Sequence, residues 1–534
     1  MPTAPWPIRP IIVLLFMTTV ALALDLDSTF HVAVEDRADP SAAPATAYLW
    51  LPPDGRVRAV LVEGLTFMDA DVVRDVRIRA ACAEAGIAIV YLNPHPCMDF
   101  SYDHPEVSAR LERILASLAA AAGKPVIATA PLIPVGHSAG SLFAQRVGYW
   151  NPGRCAAVIL LKGGLGKPGW APDATLEGVP LLHVQGQFEE FGTGPSGNLR
   201  DFEDRTAGST GARRQYLGLR AASPRFLGGV VIEPGASHYP WTDAIAGPVA
   251  TFLRAIGRER LPEQPGGSLR SVVGVVDDGG FTDNAVTDAP AGAGFWYPDR
   301  ATADAVRALH AGLGKRTQFV AVADAKGSPR LEGDTGDPAM RLRMGPTWSG
   351  PDRISVNAVF LDRVPMKYPK PEGPIGHADG PIRWRPISGP LRLLSDGTLE
   401  VTNDLRWGSR CALLIHHDGD AVFRPAHQVV FLSMKVPGDK GDPQEITGFT
   451  LPEHARSTDF PMPLSATASS GLPVRFHVDH GPAEVRDGRL VLLPVPTGLA
   501  GPVRIRVVAT QPGSTTGTQR KAAPAVIRDI ALTP

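Results

Sequence analysis

Apolar and polar positions between residues 46 and 261 follow two alternating rhythms. Short, largely apolar runs at residues 58–62, 87–92, 132–135, 156–161, 181–184 and 230–232 predict buried strands. Between them lie stretches whose apolar residues recur at helical spacing. Val72, Val73, Val76, Ala80 and Ala83 predict a helix over 69–85, and Val107, Leu111, Ile114, Leu115 and Leu118 predict one over 105–122. Further helices are expected at 139–150 and at 242–256, where Ile245, Val249, Phe252, Leu253 and Ile256 form the stripe. Strands alternating with helices predict an α/β architecture with a mostly parallel sheet and crossover helices. Pro131 and Pro134 fall in an expected central strand, where proline cannot donate to a ladder.

The rhythm stops at the Pro- and Gly-rich stretch 262–267. Residues 263–440 carry short alternating runs, such as 318–324 and 411–415, with one helical stretch near 301–312, and predict a β-rich domain of unspecified topology. In residues 441–534, Val474, Phe476 and Val478 alternate with polar residues, Asp487-Gly488 signals a turn, and Val503, Ile505 and Val507 alternate again. That pattern predicts a small β-sandwich. The 56 glycines and 52 prolines among 534 residues exceed the usual ~12% for the two together, consistent with many short turns. The segment 465–474, SATASSGLPV, resembles the opening of immunoglobulin-like modules appended to bacterial surface and secreted proteins.

Charge narrows the partners. With a formal net charge of −1, the chain has no basic field to attract nucleic acid or an anionic membrane. Four cysteines (Cys82, Cys97, Cys155, Cys411) are too scattered for a disulfide framework or a paired-cysteine zinc site. At the N-terminus, Arg9 precedes an apolar run over 11–24 that ends at Asp25 and Asp27, with small residues at Ala21 and Ala23. The run is shorter than the ~20 residues of a spanning helix. It predicts a signal peptide over 1–23, cleaved after Ala23, and a secreted or periplasmic protein with no membrane span after cleavage; a retained N-terminal anchor is the alternative.

Residues 136–140, Gly-His-Ser-Ala-Gly, match the G-x-S-x-G nucleophile elbow. The bare motif is weak, but here an apolar strand precedes it and a helical pattern follows, the setting the turn requires. A nucleophilic Ser138 needs a base and the base an orienting carboxylate. Both candidates follow strands: Glu189 and Glu190 come after the strand over 181–184, and His238 follows the strand over 230–232 through a small-residue turn. His137 is too near Ser138 in the chain to act as its base and is expected to pack the elbow.

These features resemble the α/β-hydrolase superfamily over the region 24–262. The resemblance implies that Ser138 is the nucleophile, His238 the base and Glu189 the orienting acid, with Glu190 the alternative, since the usual acid stands three residues after the glycine closing its strand, here Gly186. It implies backbone amides of Ala139 and Leu65 as the oxyanion hole, with Thr66 the second choice and Glu63 in place of the histidine common in relatives. The implied activity is that of an exported serine carboxylesterase acting on a small-molecule or polysaccharide-linked ester. A secreted peptidase, a lipase, or a surface binding protein with an inactive hydrolase domain are the alternatives. The short interval between Gly163 and the next strand leaves no room for a helical lid and predicts an open pocket. Asn93, His95, Cys97, Asp99, Asp103 and His104 cluster in sequence without the spacing of a metal site, His183, His416 and His417 are expected to be ordinary strand residues, and no phosphate-cradling glycine loop stands at a strand end. No metal and no organic cofactor is inferred.

Overall fold

The computed structural model describes residues 30–36, 45–64, 68–93, 106–166, 175–187, 209–281, 294–330, 342–362, 375–514 and 516–533. The expected signal segment, Leu65, Thr66, Glu189 and Glu190 lie outside these residues. Eight strands, β1 (Val32–Asp36), β2 (Ala45–Trp50), β3 (Ala59–Gly64), β4 (Ile87–Asn93), β5 (Leu132–His137), β6 (Val158–Leu161), β7 (Leu181–Gly186) and β8 (Gly228–Glu233), form one sheet. Their order is β1-β2-β4-β3-β5-β6-β7-β8. The pairs β1–β2 and β2–β4 are antiparallel, and β4 through β8 run parallel. Every residue of β3, β5, β6, β7 and β8 is buried, as expected where both faces of a parallel sheet are covered.

The helices are α1 (Asp69–Arg74), α2 (Val76–Ala85), α3 (Glu106–Ala122), α4 (Gly140–Trp150), α5 (Ser209–Ala222) and α6 (Asp243–Glu259). The single helix expected over 69–85 is broken at Asp75, whose extended backbone ends α1 and whose carboxylate accepts the Arg77 N–H that opens α2. Val76, expected on the inner face, is 60% exposed, and Ile78, Ala81, Cys82 and Ala85 are buried instead. Pro134 is accommodated by the ladder's alternation. Leu132 N–H donates to Arg154 O at 2.9 Å and Ser138 N–H to Leu161 O at 2.9 Å, so every second residue of β5 addresses β6, and proline's missing donor falls before β6 begins.

The first unit's core runs past the expected boundary at 262. A helix, α7 (Arg300–His310), and the strand Phe295–Tyr297 pack Phe295, Tyr297, Ala303 and Val306 into it. They also cover the exposed edge of β8: Tyr297 Oη donates to Val230 O at 2.9 Å, and His310 Nε2 accepts the Ile232 N–H at 2.8 Å. The helix expected in the β-rich region therefore packs against the sheet.

Residues 320–432 form small sheets around a second core that includes Val320, Ile354, Leu399, Leu413, Ile415 and Val430. One four-stranded sheet has the strands 342–344, 426–432, 412–417 and 383–388 in that spatial order. Residues 446–533 supply a four-stranded and a three-stranded sheet that share a third core with Val478, Leu490, Ile505 and Ile530. This C-terminal β-rich unit rests on the first through Ala500 N–H to Ala122 O at 3.1 Å and Tyr48 Oη to Asp479 at 3.1 Å.

Candidate active site

Ser138 stands between the last residue of β5 and the first turn of α4 with φ of 55°, a left-handed conformation that costs a non-glycine residue about 1–2 kcal/mol. Two bonds hold the turn: the Ser138 N–H to Leu161 O, and the Ser141 N–H to Ser138 O at 3.0 Å. Glycine is sterically required at Gly136 and at Gly163, which packs on the turn. A Cβ on Gly136 would stand 2.0 Å from Gly140 O, and one on Gly163 would stand 2.6 Å from Ser138 O. Ser141 Oγ closes the turn by donating to Gly136 O at 2.7 Å. Ser138 is half-buried and Ala139 is exposed at the N-cap of α4, where helix amides face developing negative charge. Strain held by tight packing at one serine is the form that a presented nucleophile takes.

Two strands separate β5 from β8 in the sheet, yet the loop after β8 folds back over the sheet's carboxyl edge to the elbow. His137 Nε2 donates to His238 O at 2.8 Å, and the two imidazole centroids are 4.8 Å apart. Burial and the neighbouring His238 push the His137 pKa well below the ordinary histidine range, so His137 is neutral, with its proton on Nε2 because a carbonyl can only accept. His238 is itself buried, with Tyr239 edge-on at 4.9 Å.

The end of β7 meets the same loop. Gln187 N–H donates to Glu233 O at 3.0 Å, Gly235 N–H donates to Gln187 Oε1 at 2.9 Å, and a Cβ on Gly186 would stand 2.6 Å from Ser237 O. Gly186 and Gln187, the end of β7, thus meet the histidine loop. On the other flank, Glu63 is fully buried near the end of β3, two residues before Leu65.

Two features of the site carry no signal in the sequence. A buried ion pair links Lys162, just after β6, to Glu233 at the end of β8, Nζ to Oε2 at 2.7 Å. The second is the cover. The middle β-unit packs on the histidine loop, with Phe431 edge-on to Tyr239 at 5.6 Å, His427 Nδ1 within 3.3 Å of Gly235 O, and Arg385 bonded to Asp71 at 2.6 Å and to Trp241 O. The middle β-unit thus borders the histidine loop on this side. Between the two units lies a groove of about 670 Å³ whose lining includes Trp241, Asp243, Arg383, Trp384, His416 and Asp418. His416, expected to be an ordinary strand residue, faces it; His183 lies inside β7, within 2.5 Å of Gly163 O.

Strand order, an antiparallel second strand, a strained serine after the fifth strand and a histidine loop after the eighth decide the fold. The first unit has the α/β-hydrolase fold. No family model matches the chain, and no curated protein matches it. Among solved structures, esterase PE8 is 17% identical, over 39% of this chain and 97% of its own, with a TM-score of 0.28. A serine hydrolase without a lid from Xanthomonas campestris is 15% identical over 44% and 97%, with a TM-score of 0.28. An esterase from the archaeon Pyrobaculum calidifontis is 14% identical over 44% and 89%, with a TM-score of 0.29. In this α/β-hydrolase unit the elbow after β5 and the loop after β8 meet through His137 and His238 at the carboxyl edge of the sheet, where open α/β sheets assemble their sites. Among the described residues no cluster of three or more metal-ligating side chains occurs.

Proposed function

We propose that the chain is an exported serine carboxylesterase that hydrolyses small-molecule or polysaccharide-linked esters. His238 takes the Ser138 hydroxyl proton as Oγ attacks the ester carbonyl. The amides of Ala139 and Leu65 receive the oxyanion, and Glu189 orients the imidazole and stabilises its protonated form. Collapse of the tetrahedral intermediate expels the alcohol, which takes the proton from His238. Water, deprotonated by the same histidine, then attacks the acyl-serine and regenerates the enzyme.

The observation that carries this reading is the strained Ser138 beside the His238 loop: a left-handed serine between strand and helix, packed where Gly136 and Gly163 leave no room for a Cβ, is the arrangement a nucleophile elbow requires. Export rests on the N-terminal segment, and an immunoglobulin-like character for the C-terminal unit rests on the residue 465–474 resemblance.

The test is hydrolysis of short and long aryl esters, acetylated and feruloylated sugars, and peptides by the parent and Ser138→Ala. Ester turnover that vanishes in a folded Ser138→Ala variant is expected. Equal turnover in the variant would overturn the assignment, peptide cleavage without ester cleavage would make the chain a peptidase, and a preference for long acyl chains would make it a lipase.

A further inference from the structure

The Lys162–Glu233 pair occupies an unusual place. Lys162 leaves β6 with φ of 50°, a sharp left-handed turn for a residue with a long side chain, and its side chain is 0% exposed against 1% for Glu233. Its Nζ donates to Glu233 Oε2 and to Pro240 O, each at 2.7 Å. Glu233 Oε1 accepts the hydroxyl proton of Thr242, the residue that caps α6. One ammonium thus reaches the residue before the histidine loop and a residue past His238, while the carboxylate reaches the loop's exit. The same backbone segment holds the nucleophile: Leu161 O accepts the Ser138 N–H, and Lys162 N–H donates to Val184 O at 2.7 Å.

A buried ion pair is a poor source of stability, because desolvation offsets most of the attraction. What the geometry supplies is register. We infer that Lys162 and Glu233 are positioning residues that hold both ends of the 234–242 loop against the strand end carrying Ser138, and so fix His238 relative to its nucleophile. This inference rests on the serine-esterase reading of Ser138 and His238. The pair acts through the loop.

Single substitutions leave one buried charge uncompensated and are expected to destabilise the fold. The informative variant is Lys162→Met/Glu233→Gln, which removes both charges with little change of volume. Its thermal midpoint should return close to the parent's, while kcat for an aryl ester stays about 10- to 100-fold low, as for a misplacement near 1 Å, with KM unchanged. Phosphonylation of Ser138 by a fluorophosphonate should slow by the same factor. A double variant that recovers kcat together with its midpoint would overturn the positioning role and leave a structural one. Should the double variant fail to fold, Thr242→Val decides, since it deletes only the hydroxyl that orients Glu233: kcat should fall by about threefold or more at constant KM, and Thr242→Ser should restore it. An unchanged kcat in Thr242→Val would overturn the inference. A parent that neither hydrolyses esters nor reacts with the probe would overturn the esterase reading and this inference with it, whereas an active parent with an active, folded double variant removes this inference alone.

Discussion

Gly235→Ala tests whether the middle β-unit belongs to the active site. Gly235 sits in the histidine loop with φ of 70°, and a Cβ there would lie 1.9 Å from Pro425 O, a backbone atom of the β-unit. Gly178, with φ of 76° and no atom within 4 Å of a built Cβ, shares the backbone demand without the collision. Both alanine variants pay about 1–2 kcal/mol for the left-handed conformation. Gly235→Ala must also push the β-unit back by about 1 Å, adding about 1–3 kcal/mol of overpacking. That difference corresponds to a thermal midpoint several degrees below that of Gly178→Ala, at roughly 2–4 °C per kcal/mol for a unit of this size. The displaced segment carries Phe431, which is packed on Tyr239 beside His238, so kcat for an aryl ester should fall by up to about 100-fold. Scanning calorimetry and initial rates on the two variants side by side give the answer. Equal midpoints and equal rates would refute the claim that the β-unit presses on the histidine loop.

Glu189→Gln should lower kcat by orders of magnitude while Glu190→Gln costs far less, because successive residues of an extended segment point to opposite sides; the reverse ranking in steady-state kinetics would transfer the role to Glu190, and near-normal rates in both would place the acid elsewhere. Gly136→Ala should give an inactive, strongly destabilised protein, since its Cβ would meet Gly140 O at 2.0 Å; a soluble, active variant by circular dichroism and ester assay would contradict the tight elbow. Burial, and then the neighbouring His416, lower the His427 pKa to about 3. The unfolded chain therefore binds a proton near pH 6.5 that the folded chain refuses, so stability is full above pH 6.5 and is lost as pH falls through that value, by about 2 kcal/mol at pH 5. His427→Gln should flatten the fall in thermal midpoint between pH 7 and 5; an unchanged slope would contradict the burial of a neutral His427 against Gly235 O.

The parallel sheet and the elbow were legible because their signals are local. A buried strand is a run of apolar residues, and Gly136-His-Ser-Ala-Gly140 encodes its own geometry in the side chain missing at Gly136. The break at Asp75 was not legible from periodicity, since Val72, Val73 and Val76 continue the helical stripe and only the Asp75 cap interrupts it. The helix α5 was not announced either, for its buried residues Ala212, Tyr216 and Leu217 are sparse among arginines, glycines and serine. Packing between distant segments is the part that sequence hides. Lys162 and Glu233 read as charges at two strand ends, and nothing in either neighbourhood signals that they meet. The seating of Phe431 and Arg385 on the histidine loop depends on how two units dock, which no run of residues within one unit specifies.

The central claim is that Ser138 is a nucleophile activated by His238. Its most direct test is the reaction of the intact protein with a fluorophosphonate, followed by mass spectrometry of the proteolysed adduct. One phosphonyl group on the peptide containing Ser138 is predicted, formed slowly or not at all in His238→Ala and absent in Ser138→Ala. A label on another serine, or a parent protein left unmodified under conditions that label a known serine esterase, would contradict it.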